Sequence, residues 1–283
     1  MITAKVIEHS SYKDTELISI ETYAPKFLDA EIEKHRMISS NSSSDRAIPF
    51  SKMRDKTPYI PIDLRYNERG MQGSEVLSRE DYRYTVDTLK ALYLATTKHL
   101  ETLEIAVNLH KQHLNRYLLG FSMQKKIMTA TREEWSYFFG LRLHEDADPS
   151  VQILAEEIYN AIHLSSSRSI PDGVWHLPYV TDSERSIYEP LTLCKVSASR
   201  CARTSYDNFD GTKASVDKDL ELFNKLVGSN PKHMSPLDHQ GLPALSPKDT
   251  GVTHIFLDDS IGSGNFRNWI QFRHYYLQTE GKE

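Results

Sequence analysis

The sequence predicts an α/β (α+β) fold that combines strand with long helices. Residues 16–23, Glu-Leu-Ile-Ser-Ile-Glu-Thr-Tyr, form a run rich in β-branched side chains, which reads as a strand. Val86, Leu89, Tyr93, Leu100, Leu103 and Val107 recur at three- and four-residue steps and their sums, which predicts a core helix of many turns. At 283 residues, with 39% hydrophobic and 26% charged, the chain has the composition of an ordinary globular protein and can bury a substantial core.

Pro25 ends the first strand. Lys26 to Arg36 then reads as a short helix with Phe27, Leu28 and Ile32 on one face. From Lys52 to Gly73 the chain is turn-like and aromatic, with Pro58, Tyr59, Pro61, Tyr66 and Gly70, and is expected to be an ordered loop. Ser78 followed by Asp81 marks the start of the long helix. His110 and His113 near its end read as surface residues. Two further helical blocks cover Thr131 to Leu143 and Val151 to His163 before Ser-rich 165–169 and Pro171-Asp172-Gly173 break the pattern. Another helix is expected at Val216 to Val227. The stretch from Gln240 to Gly264 is expected to wander over the surface, and Asn265 to Leu277 closes the chain as an aromatic helix or strand.

The net charge of −5 gives no broad reason to bind nucleic acid or an anionic membrane, so any anion site is local. No apolar run approaches the roughly 20 residues of a membrane span, and the start lacks the layout of a signal peptide. With Cys194 and Cys201 in no redox or metal spacing, a reduced, cytoplasmic chain is expected (host cytoplasm for a viral one).

The stretch Lys34-His35-Arg36-Met37-Ile38-Ser39-Ser40-Asn41-Ser42-Ser43-Ser44-Asp45-Arg46 carries the chemistry. Guanidinium groups fork onto phosphate oxygens, and hydroxyls with free N–H groups complete an anion cradle. A serine-rich linker is the bland reading, but a spacer has no need of basic residues on both flanks. Arg116 and Arg142 each stand in an apolar run, which requires either a core carboxylate or a ligand for the guanidinium. His233, Asp238 and His239 surround a proline turn, with a spacing too loose to define a metal site, and no metal is expected. There is no GxGxxG, P-loop or nucleophile elbow, and neither cysteine has a nucleophile's setting.

Together these pieces resemble the flavin-dependent thymidylate synthases, in the divergent form seen in phage genomes. On the family signature R-H-R-x-x-S-x-N-E-x-S-x-R fall His35, Arg36, Ser39, Asn41, Ser44 and Arg46, with Lys34 in place of the first arginine and Ser42 in place of the glutamate. A second block is matched by Arg116 to Gly120, Thr129, and Phe138 to Arg142, followed by Gln152 and Glu156-Glu157-Ile158. Segments that open the family's chains, Ala202-Arg203-Thr204-Ser205-Tyr206 and His233 to His239, lie near the C-terminus here, so the chain resembles a circular permutant. It is expected to be one domain over 1–283: signature strand-helix, loop and helical core at 15–163, permuted segment at 190–240, tail at 241–283.

The resemblance implies an α/β flavoprotein with a mixed sheet and long helices, circularly permuted, and usually a homotetramer with active sites at subunit junctions. It would carry methylene from methylenetetrahydrofolate to C5 of dUMP, forming dTMP. Reduced FAD would supply hydride and NADPH would reduce the flavin, with no protein nucleophile, no nucleic-acid partner and no membrane. By motif position, Ser44 and Arg46 would hold the nucleotide phosphate together with Arg116 of a neighbouring subunit. Arg142 would face the pyrimidine carbonyls. Lys34, His35, Arg36 and Asn41 would line the flavin, joined by Ser205 and His239. Glu31 stands where the family has a glutamine near the base, and with Arg142 and Ser44 makes the expected catalytic set. A carboxylate there also fits dCMP, so a related modification such as hydroxymethylation is the alternative. Thr131 and Glu133 replace an asparagine and an arginine of the flavin site, with Gln271 and Arg273 as possible substitutes. Those departures keep open a non-catalytic nucleotide-binding homologue that has lost flavin.

Overall fold

The computed structural model describes residues 1–70, 73–203, 215–244 and 264–280, and the backbone of 254–255 and 261–262. The first half runs β1 (Thr3–Tyr12), β2 (Thr15–Pro25), α1 (Asp29–Ile32), β3 (Ser39–Ser42), α2 (Phe50–Arg54), α3 (Arg79–Val107), α4 (Lys111–Leu114), β4 (Met123–Thr131), α5 (Arg132–Arg142) and α6 (Pro149–Leu164). The second half adds β5 (Arg168–Ser169), α7 (Asp182–Ile187), α8 (Pro190–Ala202), α9 (Val216–Gly228), β6 (Gly241–Pro243), β7 (His254–Ile255), β8 (Ile261–Gly262), β9 (Trp269–Gln271) and α10 (Phe272–Thr279).

Five strands form a mixed sheet in the order β3-β4-β2-β1-β5, antiparallel except for the β1–β5 pair. Side chains alternate across a strand, so the sheet has two distinct faces. Ile18, Ile20, Met128 and Ala130 pack with Trp135 and Phe138 of α5 and Val151, Leu154 and Ile158 of α6. Each buried Ile, Leu, Val, Met or Phe side chain among them contributes roughly 1.5–3 kcal/mol relative to exposure. Residues of opposite parity, Leu17, Ser19 and Thr129, face the second half of the chain. Leu17 there shares a cluster with Phe266 and Trp269. Gly241 allows this closeness, since a Cβ on it would collide with Leu17 Cδ2.

The expected mixed sheet with long helices is present, with several local corrections. The first helix stops at Ile32, because His35 and Ile38 are buried and turn the chain back toward the sheet through His35 N–H to Ile32 O and Ile38 N–H to His35 O. The long helix has the expected cap, with Ser78 Oγ accepting from Asp81 N at 3.1 Å. Its apolar residues are not all core. Only Tyr93 and Leu100 are buried; Leu103 and Val107 are exposed, because within this chain α3 packs on one side only. The residues after Gln240 do not all wander. Gln240, Leu242 and Ala244 are buried, β6 pairs with β9, and Phe266, Trp269 and Phe272 are core residues. Arg116 is exposed although Leu114 and Leu118 beside it are fully buried, because a 3-10 segment, Asn115–Phe121, turns it outward.

Candidate active site at the sheet edge

The edge strand β3 carries the middle of the basic and hydroxyl-rich stretch, and α1 and α5 flank it. Phe138 and Arg142 lie four residues apart on one face of α5. Phe138 is fully buried and meets His35 edge-on at 4.9 Å between ring centroids, which carries Arg142 to the same place. Arg142 Nε donates to His35 Nε2 at 2.9 Å, Nη1 to Glu31 Oε2 at 2.7 Å, and Nη2 to the Glu31 carbonyl at 2.9 Å. Arg142 thus has its carboxylate, and one N–H remains on each Nη. Burial, and then the Arg142 charge, push His35 down to about 4. His35 is therefore neutral at pH 7, and with Nε2 accepting, its proton sits on Nδ1. Burial acts to raise the Glu31 carboxyl, but Lys34 and Arg142 hold it below its ordinary range.

Ser44 and Arg46 are exposed on the loop after β3, where Arg46 N–H donates to Ser44 Oγ at 3.3 Å. Asn115, next to Arg116, is fully buried and donates to the carbonyls of Asp45 at 2.8 Å and Ile48 at 2.9 Å. Lys111 Nζ donates to Ala47 O at 3.0 Å. The loop bearing Arg46 is therefore pinned to the segment bearing Arg116 within one chain. Among the described residues neither guanidinium has an ion-pair partner.

The residues expected around a flavin do not all share a side of β3. Lys34 and Arg36 are exposed, with Lys34 Nζ 3.3 Å from Glu31 Oε1. His35 lies with Arg142 on the α5 side. Ser39 and Asn41 pair with Thr129 and Ile127 and share the opposite face. There Ser39 Oγ accepts from Asn265 Nδ2 at 3.1 Å and Gln271 Nε2 at 3.2 Å. His239 Nδ1 lies 2.9 Å from Thr129 Oγ1, while its Nε2 is buried without a partner among the described residues. Burial pushes His239 down to about 3. Ser205 lies outside the described residues.

The two altered flavin positions have structural partners of their own. Thr131 is buried and caps α5 through Glu134 N–H at 3.4 Å, and Glu133 is exposed, 3.4 Å from Arg267 Nη1. Gln271 serves Ser39, and Arg273 pairs with Asp238 at 2.7 Å. Burial raises Asp238 to about 7 against that guanidinium. Both cysteines are buried, which raises their thiols away from the nucleophilic range.

Sequence reasoning missed Lys126, which is buried opposite Ser42 with Nζ 2.7 Å from Asp29 Oδ1. It also missed Ser10, Ser19 and His176, which join Thr129 and His239 in the buried hydrogen-bond network described below. No spacing in the sequence links residues contributed by separate strands and loops.

A family model described as Thy1, thymidylate synthase complementing protein, matches residues 3–164. The chain belongs to this family. No curated protein matches it. Two solved structures of a UMP/dUMP methylase, PolB from Streptomyces cacaoi, resemble the fold. The form bound with 5-Br UMP is 14% identical, with 57% of this chain and 88% of that chain covered and a TM-score of 0.49. The form bound with 5-Br dUMP is 14% identical, with 57% and 90% covered and a TM-score of 0.48. Among the described residues no helix is long and apolar enough to cross a membrane.

Proposed function

We propose that the protein transfers a one-carbon unit from methylenetetrahydrofolate to C5 of a pyrimidine deoxynucleotide monophosphate. The reference substrate is dUMP and the product dTMP, with FAD as cofactor and NADPH as its reductant. The observation that carries this reading is the Glu31–Arg142–His35 cluster at the edge of the signature strand. A neutral His35 and the Glu31 backbone orient the guanidinium, and its two remaining N–H groups are suited to polarising pyrimidine carbonyls. Ser44, Arg46 and Arg116 supply hydroxyl and guanidinium donors for a 5′-phosphate.

The chain's donor set fits a flavin dinucleotide at two ends. The buried, unpartnered Nε2 of His239 suits a polar ring edge, and the exposed Lys34 and Arg36 suit a diphosphate. His35 and Asn41 complete the proposed flavin contacts. The flavin, when bound, supplies hydride. We also propose that residues 190–240 are the permuted opening segment of the family, which accounts for His239 lying against Thr129. A homo-oligomer, in the tetrameric form usual for the family, is proposed from the exposed Leu94, Ile105 and Val107 of α3.

A second reading is favoured by one observation, the pairing of Glu31 with Arg142. Side by side they offer donors and an acceptor, the complement of a cytosine edge with its O2, N3 and exocyclic amine. Tritium release from C5-labelled dUMP and dCMP tests both readings. Release from dUMP alone supports the first, and release from dCMP alone, transferred to dUMP by Glu31→Gln, supports the second. A purified protein that is colourless and takes up no added FAD would remove both.

A further inference from the structure

A continuous line of buried hydrogen bonds crosses the second face of the sheet. Glu8 Oε1 accepts from Ser10 Oγ at 3.3 Å. Ser10 Oγ lies 2.9 Å from His176 Nδ1, and His176 Nε2 lies 2.8 Å from Ser19 Oγ. Ser19 Oγ lies 2.6 Å from Thr129 Oγ1, which is 2.9 Å from His239 Nδ1. Ser10, Ser19, Thr129, His176 and His239 are all 0% exposed. Strands β1, β2 and β4 supply four members, Glu8, Ser10, Ser19 and Thr129, and the backbone bridge between His176 and Gly241 ties the two imidazole-bearing segments together.

The acid at one end gives this line a direction. Burial raises the Glu8 carboxyl above its ordinary range, but it sits between Arg185, whose Nη2 is 3.0 Å away, and Arg168, and two guanidiniums that can only donate hold it as a carboxylate that accepts. The single Ser10 proton therefore goes to Glu8, and Ser10 must accept from His176 Nδ1–H. A neutral imidazole has one N–H, so His176 Nε2 accepts from Ser19, Ser19 accepts from Thr129, and Thr129 accepts from His239 Nδ1–H. The reverse order would set two lone pairs against each other at Ser10 and Glu8. It would also leave an N–H of His239 buried without an acceptor, which is rarer and costlier than an unfilled acceptor.

We propose that Glu8, Ser10, His176, Ser19 and Thr129 are positioning residues that hold His239 as its Nδ1–H tautomer. Nε2 is thereby presented as a bare acceptor for an N–H of the cofactor ring. The ligand half of this proposal rests on the reading that His239 lines the flavin. The tautomer half stands without it.

The test uses the full chain labelled with ¹⁵N-histidine and long-range ¹H–¹⁵N correlation, with His239→Gln to assign the signal. The expected result is a protonated Nδ1 and an unprotonated Nε2 on His239. Ser19→Ala, which cuts the line, shifts His239 toward the Nε2–H form, and Ser19→Thr restores the original tautomer. Glu8→Gln, whose amide can donate to Ser10, mixes the two forms and serves as the second variant if Ser19→Ala does not fold. A wild-type His239 protonated on Nε2, or a tautomer indifferent to both variants, overturns the proposal. Titration with FAD then separates the two halves. Binding weakened about tenfold by Ser19→Ala supports both, whereas a wild-type protein with the expected tautomer and no FAD binding removes the ligand half and the flavin reading together.

Discussion

Arg142 commits three of its N–H groups inside the chain, to His35 and twice to Glu31, before any ligand arrives. That fixes the guanidinium plane, and a planar fork held in place loses little entropy when it binds. Arg46 and Arg116 are the opposite case, being exposed and unpaired among the described residues. Replacing Arg46 with alanine should therefore leave folding unchanged and weaken nucleotide binding by about 1.5–3 kcal/mol, the worth of a charge-assisted bond. Calorimetric titration with dUMP checks this, and an unchanged affinity would take Arg46 out of the site. The residue scale is also where the sequence was most legible. The spacing of His35, Arg36, Ser39, Asn41, Ser44 and Arg46 is a linear property of one loop and strand. Lys126 and His176 were not legible, because their partners Asp29, Ser10 and Ser19 come from other elements.

Helix α5 links core to site, since Phe138 anchors the turn from which Arg142 projects. Phe138→Ala should cost about 3–5 kcal/mol, as for other buried phenylalanines, and should free the His35 ring to reorient. Denaturant unfolding measures the first effect and the His35 ¹⁵N signals the second. Helix α3 poses a different problem. Its regular period was readable, but period does not say which side finds a partner. Leu94 is 65% and Ile105 79% exposed, so the described residues leave these apolar side chains uncovered. Leu94→Glu with Ile105→Glu should lower the mass seen in sedimentation to that of a smaller assembly while preserving helical circular dichroism. A wild-type protein that already sediments as a monomer would refute the oligomer. Helix α8 was hidden because Ser197 and Ser199 look like surface residues. They are buried, with their hydroxyls donating to the carbonyls of Pro178 at 2.8 Å and Asp219 at 2.6 Å.

For the molecule as a whole, the buried histidines set the acid limit. Burial pushes His35 down to about 4 and His239 to about 3, and places His176 well below its ordinary value, against 6.5 for a free imidazole. As pH falls below 6.5 the unfolded chain takes up protons that the folded chain refuses, so stability drops until the folded values are reached. Asp238 works the other way. Raised to about 7 from 3.8, it takes a proton in the fold first and adds stability as pH falls between those values. His9 and His274 are lowered in the same way, and Glu8 and Glu134 are raised like Asp238, so the lowered imidazoles outnumber the raised carboxyls and stability falls on balance between pH 6.5 and 4. Denaturant melts across that range check it, and a midpoint that rises on acidification would contradict the buried neutral imidazoles.

The sequence by itself determined the family, the main helices and the basic, hydroxyl-rich make-up of the stretch from Lys34 to Arg46. These depend on local spacing, and both a helix period and a motif are written along the chain. Tertiary structure alone decided that Glu31 holds Arg142, that α3 keeps a side uncovered by the described residues, and that Ser39 accepts from the side-chain amides of Asn265 and Gln271. It alone aligned Glu8, Ser10, His176, Ser19, Thr129 and His239 across one face of a sheet. Pairing of β2 with β4 and the placement of α5 bring Ser19 to Thr129 and Arg142 to Glu31, and the packing of the second half against the sheet adds His176, His239, Asn265 and Gln271 within hydrogen-bond reach.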